Sequence, residues 1–573
     1  MAHHARRNQI TKYGKEPVMK TIGRREFIGA AVGATLLGKG RTLGNSLLPT
    51  YSSQATDSRI EVLTAEPVGR IAPEIYGHFV EHLGGVVYDG VWVGEDSKIP
   101  NIGGVRKELV EAMKRVKPGV IRWPGGCFAD SYNWRDGIGP RSQRPRRTNF
   151  WAGSMSAIPD GPWKYDPNHF GSNEFYRFCR LSGAEPYFAA NLRSLTANDF
   201  YEWIEYCNSP AGSTTLADMR AAAGDREPFK VRYWGVGNES WGCGGNFAPE
   251  EYAVEFRRFA EWVPGFGLQL AFIGSGPNGG DLEWTRRFLA KLAERNALGR
   301  LWGWGLHHYS WNVSGGRTND WNRGKGDGLK YETEEWYELL REGDRVESLI
   351  TSHWTVMGEI DRQHRVKLAV DEWGAWYKQG SEVDITHLLG QQSTMRDAVL
   401  AGLSLDTFNR HADKVAMANV AQLINCLQSL FLAHEDKFVL TPTFHVFEMY
   451  AAHQGAQSIR TVFSAPRCYY TRNGQPASIY GLSGSASLRD KTLTLTVTNP
   501  HISDPREAEI AVRGAVVKSA RATTLAAGDV HTHNSFENPR SVEPKDEPVR
   551  LSSGMLIHRF APASVTRLEI SLA

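Results

Sequence analysis

From about residue 71 to 455 the chain alternates short apolar runs, rich in β-branched and aromatic residues, with segments whose apolar positions recur at helical spacing. That alternation is the pattern of parallel strands joined by crossover helices. Ile75–Phe79, Gly119–Arg122, Pro186–Ala190, Val231–Val236, Leu268–Gly274, Gly303–His308 and Lys367–Asp371 are predicted strands, and "KVAMANVAQLI" supplies an eighth near 414–420. Between the first two, "GVRKELVEAMKRVKP" (104–118) places Val105, Leu109, Met113 and Val116 on one helical face and stops at Pro118. Eight such units predict a (β/α)₈ barrel, a fold that carries its chemistry at the carboxyl ends of its strands.

After about residue 457 the period changes to two. In "KTLTLTVTN" (491–499), Leu493, Leu495 and Val497 face one way and threonines the other, which predicts an antiparallel β-sandwich. "RIEVLTA" (59–65) precedes the first barrel strand and has no partner there, so it is expected to join the sandwich. The expected division is an N-terminal extension over 1–55, a sandwich strand over 56–70, a catalytic barrel over 71–457 and a sandwich over 458–573. The polar stretch 529–548 is a long loop in the sandwich, of a length that is usually functional or mobile.

Charge narrows the partners. The 66 basic and 63 acidic residues of this 573-residue chain nearly cancel, so no electrostatic footprint for nucleic acid is present and a neutral partner fits better. All 18 tryptophans lie between Trp92 and Trp376; such rings pack cores and also line sugar-binding clefts. Six scattered cysteines form no disulfide framework and no C-x-x-C pair. Near the N-terminus, "TIGRREFIGAAVGATLLG" (21–38) sets Arg24–Arg25 before a short apolar stretch, and "SQA" (53–55) offers a cleavage site. This resembles a twin-arginine export signal, so export to the periplasm or medium is expected, with Met19 as a candidate start. The apolar stretch is too short for stable membrane insertion.

The chemistry lies at two strand ends. Glu239 follows the fourth predicted strand and Glu372 ends the seventh. In a barrel both face one depression, where two carboxylates can bracket a glycosidic bond: one acid protonates the leaving oxygen and one ionised carboxylate works on the other face. Trp234 and Trp241 are expected to disfavour charge on Glu239, and Arg122 to hold Glu372 ionised. His78, His82, His307 and His308 show no zinc spacing, so neither a metal nor another cofactor is implied.

The blocks "GHFVEHLGGVVYDGVW" (77–92), "IRWPGGCFADSYNWRDGIGP" (121–140), "WGVGNESWGCGG" (234–245), "HHYS" (307–310), "VDEWGAWY" (370–377) and "MANVAQLIN" (417–425) resemble, in order, those of glycoside hydrolase family 51, the α-L-arabinofuranosidases. The resemblance implies a barrel with a C-terminal sandwich and a retaining mechanism, with Glu239 as acid/base and Glu372 as nucleophile. It assigns Glu81, Asn238, Tyr309 and Gln422 to the sugar. From their positions in the chain, Tyr309 is also expected to orient the nucleophile, and Arg122, His307 and Trp241 are expected supporting residues. A retaining pair should stand about 5–5.5 Å apart. The expected substrate is an arabinofuranosyl-containing polysaccharide or oligosaccharide, and family members are often homo-oligomers.

One position departs. Many members carry "RYPGGNF", whose Asn contacts the sugar; here Cys127 stands there in "RWPGGCF", and a thiol is a weaker donor and acceptor than an amide. Cys243, four residues after Glu239, is the candidate disulfide partner of Cys127. Two other readings stay open: an endo-glucanase or xylanase using the same carboxylates, and a non-catalytic glycan-binding protein.

Overall fold

The computed structural model describes residues 56–313, 318, 323–552 and 555–573. The twin-arginine segment and the rest of 1–55 lie outside the described residues. No described helix is long and apolar enough to cross a membrane.

Eight parallel strands close into a barrel: Gly77–Phe79, Val120–Trp123, Glu185–Ala190, Tyr233–Val236, Ala271–Gly274, Leu301–Ser310, Lys367–Ala375 and Val415–Val420, in that order around the ring. The sixth and seventh strands run past their apolar stretches, so Tyr309 and Glu372 lie within strands rather than beyond them. Inside the barrel Val120, Tyr187, Tyr233, Ala271, Ile273, Ala369 and Met417 make a separate small core. Outside it, the bulky side chains fill the layer under the helices; Trp234 stacks on Phe188 and meets Trp203 and Phe200 edge-on. The helix expected over 104–118 runs Lys107–Val116 and buries Leu109, Met113 and Val116. Val105–Arg106 is instead spent on a two-residue pairing with Asn101–Ile102.

The second core is wrapped by a ten-stranded sheet ordered Lys545–Glu547, Val517–Leu525, Ser564–Leu572, Thr492–Asn499, Ser483–Arg489, Gln457–Ser464, Ser58–Arg70, Arg506–Arg513, Met555–Phe560, Arg550–Ser552. Its pairings are antiparallel except that Ser58–Arg70 lies parallel to Arg506–Arg513. Leu493, Leu495 and Val497 join Ile60, Val62, Ile510 and Leu568 in this core.

The threonines on the opposite face are buried as well: Thr496 and Thr498 are 0% exposed. They pack against the helix Met395–Arg410, where the Asp406 carboxylate accepts hydrogen bonds from Thr496 (2.5 Å), Ser485 (2.7 Å), Tyr450 (2.9 Å) and Thr498 (3.4 Å). The sheet's polar face is thus the surface that docks on the barrel, and a single acid satisfies its hydroxyls. Burial drives Asp406 up to about 6, against the pull of those same donors. Of the stretch expected as a loop, 529–548, Lys545–Glu547 instead forms the edge strand, and the part before it is fastened to the barrel through Tyr331 Oη on the Val530 carbonyl (2.7 Å) and Asn534 Nδ2 on the Leu440 carbonyl (2.9 Å).

Removing the Asp406 carboxylate leaves several buried hydroxyls to find new partners, each worth about 1–3 kcal/mol if unsatisfied. Asp406→Ala is therefore expected to lower unfolding stability by about 3 kcal/mol or more, with Asp406→Asn losing less. Denaturant or thermal unfolding of the three proteins measures this.

Candidate active site

The "GNESWGCGG" turn after the fourth strand positions Asn238 and Glu239. Gly237 takes φ +81° and Glu239 itself φ +40°. At Gly244 a Cβ would stand 1.8 Å from the Asn238 carbonyl oxygen, so only glycine lets the turn fold back this tightly. The Glu239 carbonyl accepts the N–H groups of Gly242 (2.7 Å) and Gly244 (3.2 Å), leaving a side chain 22% exposed at the barrel mouth.

Glu372 is held more tightly. Its Oε1 accepts from Arg122 Nη1 at 2.6 Å and its Oε2 from Tyr309 Oη at 2.7 Å. The register of the seventh strand slips on both sides of Asp371–Glu372, against the sixth strand and against the eighth. Such a bulge re-aims side chains, and both acids approach the same guanidinium, Asp371 Oδ2 lying 3.9 Å from Arg122 Nε. Arg122 also donates from Nη2 to Asn238 Oδ1 at 2.6 Å, which turns the Asn238 amide nitrogen toward the Cys243 sulfur, 3.7 Å away. Burial opposes the charge on Arg122, but the carboxylates of Glu372 and Asp371 outweigh it and hold the guanidinium above its usual value.

His307 joins the two carboxylates. Its Nδ1 is 2.9 Å from Glu239 Oε1 and 3.4 Å from Glu372 Oε2, and its Nε2 is 3.3 Å from Asp371 Oδ1. Burial alone would keep the ring neutral, yet the charges of Glu372 and Asp371 push its pKa well above the ordinary histidine value. The three surrounding acids thus favour the protonated form of the imidazole. One oxygen each of Glu239 and Glu372 and a nitrogen of His307 all lie within 4.8 Å of one another. Tyr309 is pushed well above its ordinary value by burial and by the Glu372 charge, so it remains a donor.

Glu81 forms the opposite wall. Its Oε1 accepts from the Phe128 N–H (3.0 Å) and Trp151 Nε1 (3.1 Å), and its Oε2 from Gln422 Nε2 (3.1 Å). Gln422 Oε1 in turn accepts the Glu81 N–H at 3.1 Å. A Cβ on Gly126 would lie 2.8 Å from Glu81 Oε2, which explains the second glycine of "PGGCF". Burial raises Glu81 to about 7 despite the donated hydrogen bonds.

Cys127 is not a thiol. It is bonded to Cys243, whose sulfur lies 3.7 Å from both Glu239 Oε2 and Asn238 Nδ2, while Cys179, Cys207, Cys426 and Cys468 are buried free cysteines. A disulfide thus replaces the amide at this edge of the site. Trp234 does not reach Glu239, because it points into the layer beneath the helices. Trp241 is half-buried beside the acid, with an indole nitrogen that is shielded from solvent and lacks a hydrogen-bond partner. Of the four histidines weighed for a metal, only His307 touches the carboxylate pair. His78 is buried against Phe447 and driven down to about 3, His82 is paired with Asp166, and His308 Nε2 meets the Glu342 carbonyl.

Three contributors escaped the sequence reading. Trp151 arrives on the insertion 140–170, and loop position leaves no periodic signal. Asp371 was legible only as the neighbour of Glu372. Asp130 is buried and accepts the N–H groups of Leu192 (2.8 Å), Arg193 (3.3 Å) and Asn238 (3.1 Å), so it clamps the turn that carries the acid.

Two acids, an arginine, a histidine placed between the acids and further polar groups at the mouth of a (β/α)₈ barrel define a glycoside hydrolase. Comparison with known proteins narrows the class. The family profile for the alpha-L-arabinofuranosidase 1 domain matches residues 112–281, and that for the alpha-L-arabinofuranosidase C-terminal domain matches 371–564. An intracellular exo-alpha-L-arabinofuranosidase of Bacteroides ovatus is 35% identical over 528 residues, covering 91% of this chain and 98% of the relative. The crystal structure of a family 51 arabinofuranosidase from Xanthomonas axonopodis pv. citri superposes with a TM-score of 0.82 at 32% identity, covering 90% of this chain and 100% of that one. The Thermotoga maritima α-L-arabinofuranosidase, solved with arabinose, gives a TM-score of 0.76 at 29% identity, again covering 90% and 100%. The chain belongs to glycoside hydrolase family 51, the α-L-arabinofuranosidases.

The same relatives overturn the expectation of export. Those from Bacteroides ovatus, Acetivibrio thermocellus and Bacillus subtilis are each named intracellular enzymes. The arginine pair that suggested export is a short compositional signal, whereas the Bacteroides ovatus and Bacillus subtilis relatives match over 91% and 88% of this chain.

Burial raises Asp130 to about 7, against the backbone N–H groups that favour its charge. The unfolded chain releases this proton near the ordinary carboxylate value, so between pH 4 and pH 7 the folded state binds more protons and stability from this group falls as pH rises. The stability of wild type minus that of Asp130→Asn is therefore expected to shrink from pH 4 to pH 7, as read by calorimetric unfolding across that window.

Proposed function

We propose that the protein is an exo-acting α-L-arabinofuranosidase that removes terminal non-reducing arabinofuranosyl residues from arabinan, arabinoxylan and related oligosaccharides by double displacement. One observation carries the reading: Glu372 is fixed by Arg122 and Tyr309, and one of its oxygens lies within 4.8 Å of an oxygen of the more exposed Glu239. That spacing suits a nucleophile and an acid/base acting on the same anomeric centre, and leaves no room for the water that an inverting pair holds between its carboxylates.

In the first step Glu372 attacks the anomeric carbon while Glu239 protonates the departing oxygen. In the second, Glu239 takes a proton from water, which attacks the same carbon and displaces Glu372. The charge of the pair changes through this cycle, and the cations of Arg122 and His307 hold it in a confined space. Asn238, its carbonyl occupied by Arg122, offers its amide nitrogen to the sugar's 2-hydroxyl. Glu81 receives a hydroxyl further round the ring. Gln422 spends both ends of its amide on Glu81 and so acts as a positioning residue. The Cys127–Cys243 bridge presents sulfur where many relatives present an amide.

The test uses Glu239→Ala and Glu372→Ala on 4-nitrophenyl α-L-arabinofuranoside and on arabino-oligosaccharides. Loss of the acid/base should cost about 10²–10⁴-fold on the oligosaccharides, which need leaving-group protonation, and less on the nitrophenyl substrate. Azide should rescue Glu239→Ala and yield the α-configured arabinosyl azide, since it intercepts the arabinosyl-enzyme; with Glu372→Ala it should give the β-azide by direct attack. Unchanged activity in both variants, or β-azide from Glu239→Ala, would contradict the assignment.

A further inference from the structure

Besides the catalytic carboxylates with His307, and the disulfide-bonded cysteines beside Glu239, the described residues contain one further group of convergent metal-type donors: Asp89, His387 and His434. They come from three different loops at the carboxyl end of the barrel. Asp89 lies after the first strand, His387 after the seventh, and His434 in the hairpin Phe431–His434/Lys437–Leu440 after the eighth. We propose that Asp89, His387 and His434 form a binding site for a divalent transition-metal ion of the zinc type, which ties these three loops together.

The geometry supports convergence on one point. Asp89 Oδ2 is 3.3 Å from His387 Nε2 and 3.1 Å from His434 Nδ1, and all three donor atoms lie within 4.8 Å of one another. Ligands about 2.0–2.1 Å from a tetrahedral zinc stand about 3.3–3.4 Å apart, so the two short edges need almost no movement and the third needs a modest one. Two imidazoles and a carboxylate are a borderline donor set, suited to zinc and its neighbours rather than to calcium or magnesium. The rings meet at 77°, with centroids 5.6 Å apart, so their nitrogens approach from different directions.

The surroundings prepare each donor. Asp89 Oδ1 is occupied by the Glu435 N–H (2.8 Å) and lies 3.6 Å from Arg106 Nη2, which turns Oδ2 toward the histidines. Asp89 itself takes φ +79°, a left-handed conformation unusual for a residue other than glycine. Arg106 Nη2 also donates to the carbonyls of Asp89 (2.5 Å) and Glu435 (2.9 Å), locking the backbone on both sides of the cluster. The far nitrogen of His434 is 3.6 Å from Asp384 Oδ2, the outer carboxylate that metal-bound histidines commonly have. His387 has a side chain 0% exposed, and a Cβ on Gly85 would lie 2.4 Å from its Nε2, so glycine at 85 clears the ring's position. With neutral imidazoles, Asp89 and Asp384 exceed Arg106 by one negative charge, so a dication meets no excess of positive charge. The side chains of Asp89 and His434 are 19% and 29% exposed, so an ion can reach the cluster from solvent.

The loops so joined carry the Glu81–Gln422 wall of the active site, and the ion would act as a structural tie rather than touch the sugar. Its test is therefore independent of catalysis. The full chain is stripped with chelator, dialysed and titrated with ZnCl₂ by calorimetry, with bound zinc counted by elemental analysis and thermal unfolding followed with and without zinc. Wild type should bind about one zinc per chain and unfold at a higher temperature with zinc present. His434→Gln, at a partly exposed position, should unfold in chelator as the stripped wild type does, yet lose the zinc and its thermal effect. Asp384→Asn should weaken binding about 10–100-fold. Less than about a tenth of an equivalent on wild type, far below the expected single site, would overturn the proposal. So would undiminished zinc binding by His434→Gln, which would place the ion elsewhere on the chain.

Discussion

The active site depends on the two hydrogen bonds that buried Arg122 makes, one to Glu372 and one to Asn238. Three acids, Glu239, Asp371 and Glu372, come together at the barrel mouth, and their mutual repulsion in a site shielded from water has to be offset from within. Arg122 does this from below, on the second strand, and His307, whose pKa the acids push up, does it from the side. The same guanidinium that fixes the nucleophile also fixes the rotamer of the amide next to the acid. The two halves of the catalytic pair are therefore positioned by one cation, with Asp130 holding the acid's turn from behind.

The scaffold around this cluster is organised so that polar groups face inward at both levels. The sheet presents hydroxyls to the barrel, and Asp406 collects them. Because that helix is buried along nearly its whole length, the barrel and the sheet share an interface that is as closed as a core. The second strand supplies Arg122 and the eighth leads to Gln422, so the sheet that packs over the helix between the seventh and eighth strands braces one side of the site.

Much of the fold was legible because hydrophobic period reports burial directly. All eight barrel strands were marked by their apolar runs. What period could not report was how far a strand continues once its residues turn polar, as in "HHYS" and "DEWGA", where functional side chains replace apolar ones inside the strand. Nor could it say what covers a polar face: the alternating threonines were read correctly as a face, but that face meets Asp406 rather than water.

The candidate site divided along similar lines. Glu239 lies in the turn after the fourth strand, and Arg122, His307 and Glu372 lie in the carboxyl-terminal halves of their strands; motif and fold together point to them. Trp234 was misplaced because one residue along a strand reverses the direction of a side chain, sending it into the helix layer. Asp89 lies 298 residues before His387 and 345 before His434, and the three share no motif spacing; only the closing of the barrel brings them together. Two successive displacements at one carbon, by Glu372 and then by water that Glu239 deprotonates, leave the product in its starting α configuration. Proton magnetic resonance of the first-formed arabinose, recorded before mutarotation, tests it most directly. The account predicts that the α-anomer appears first, and initial release of the β-anomer would contradict it.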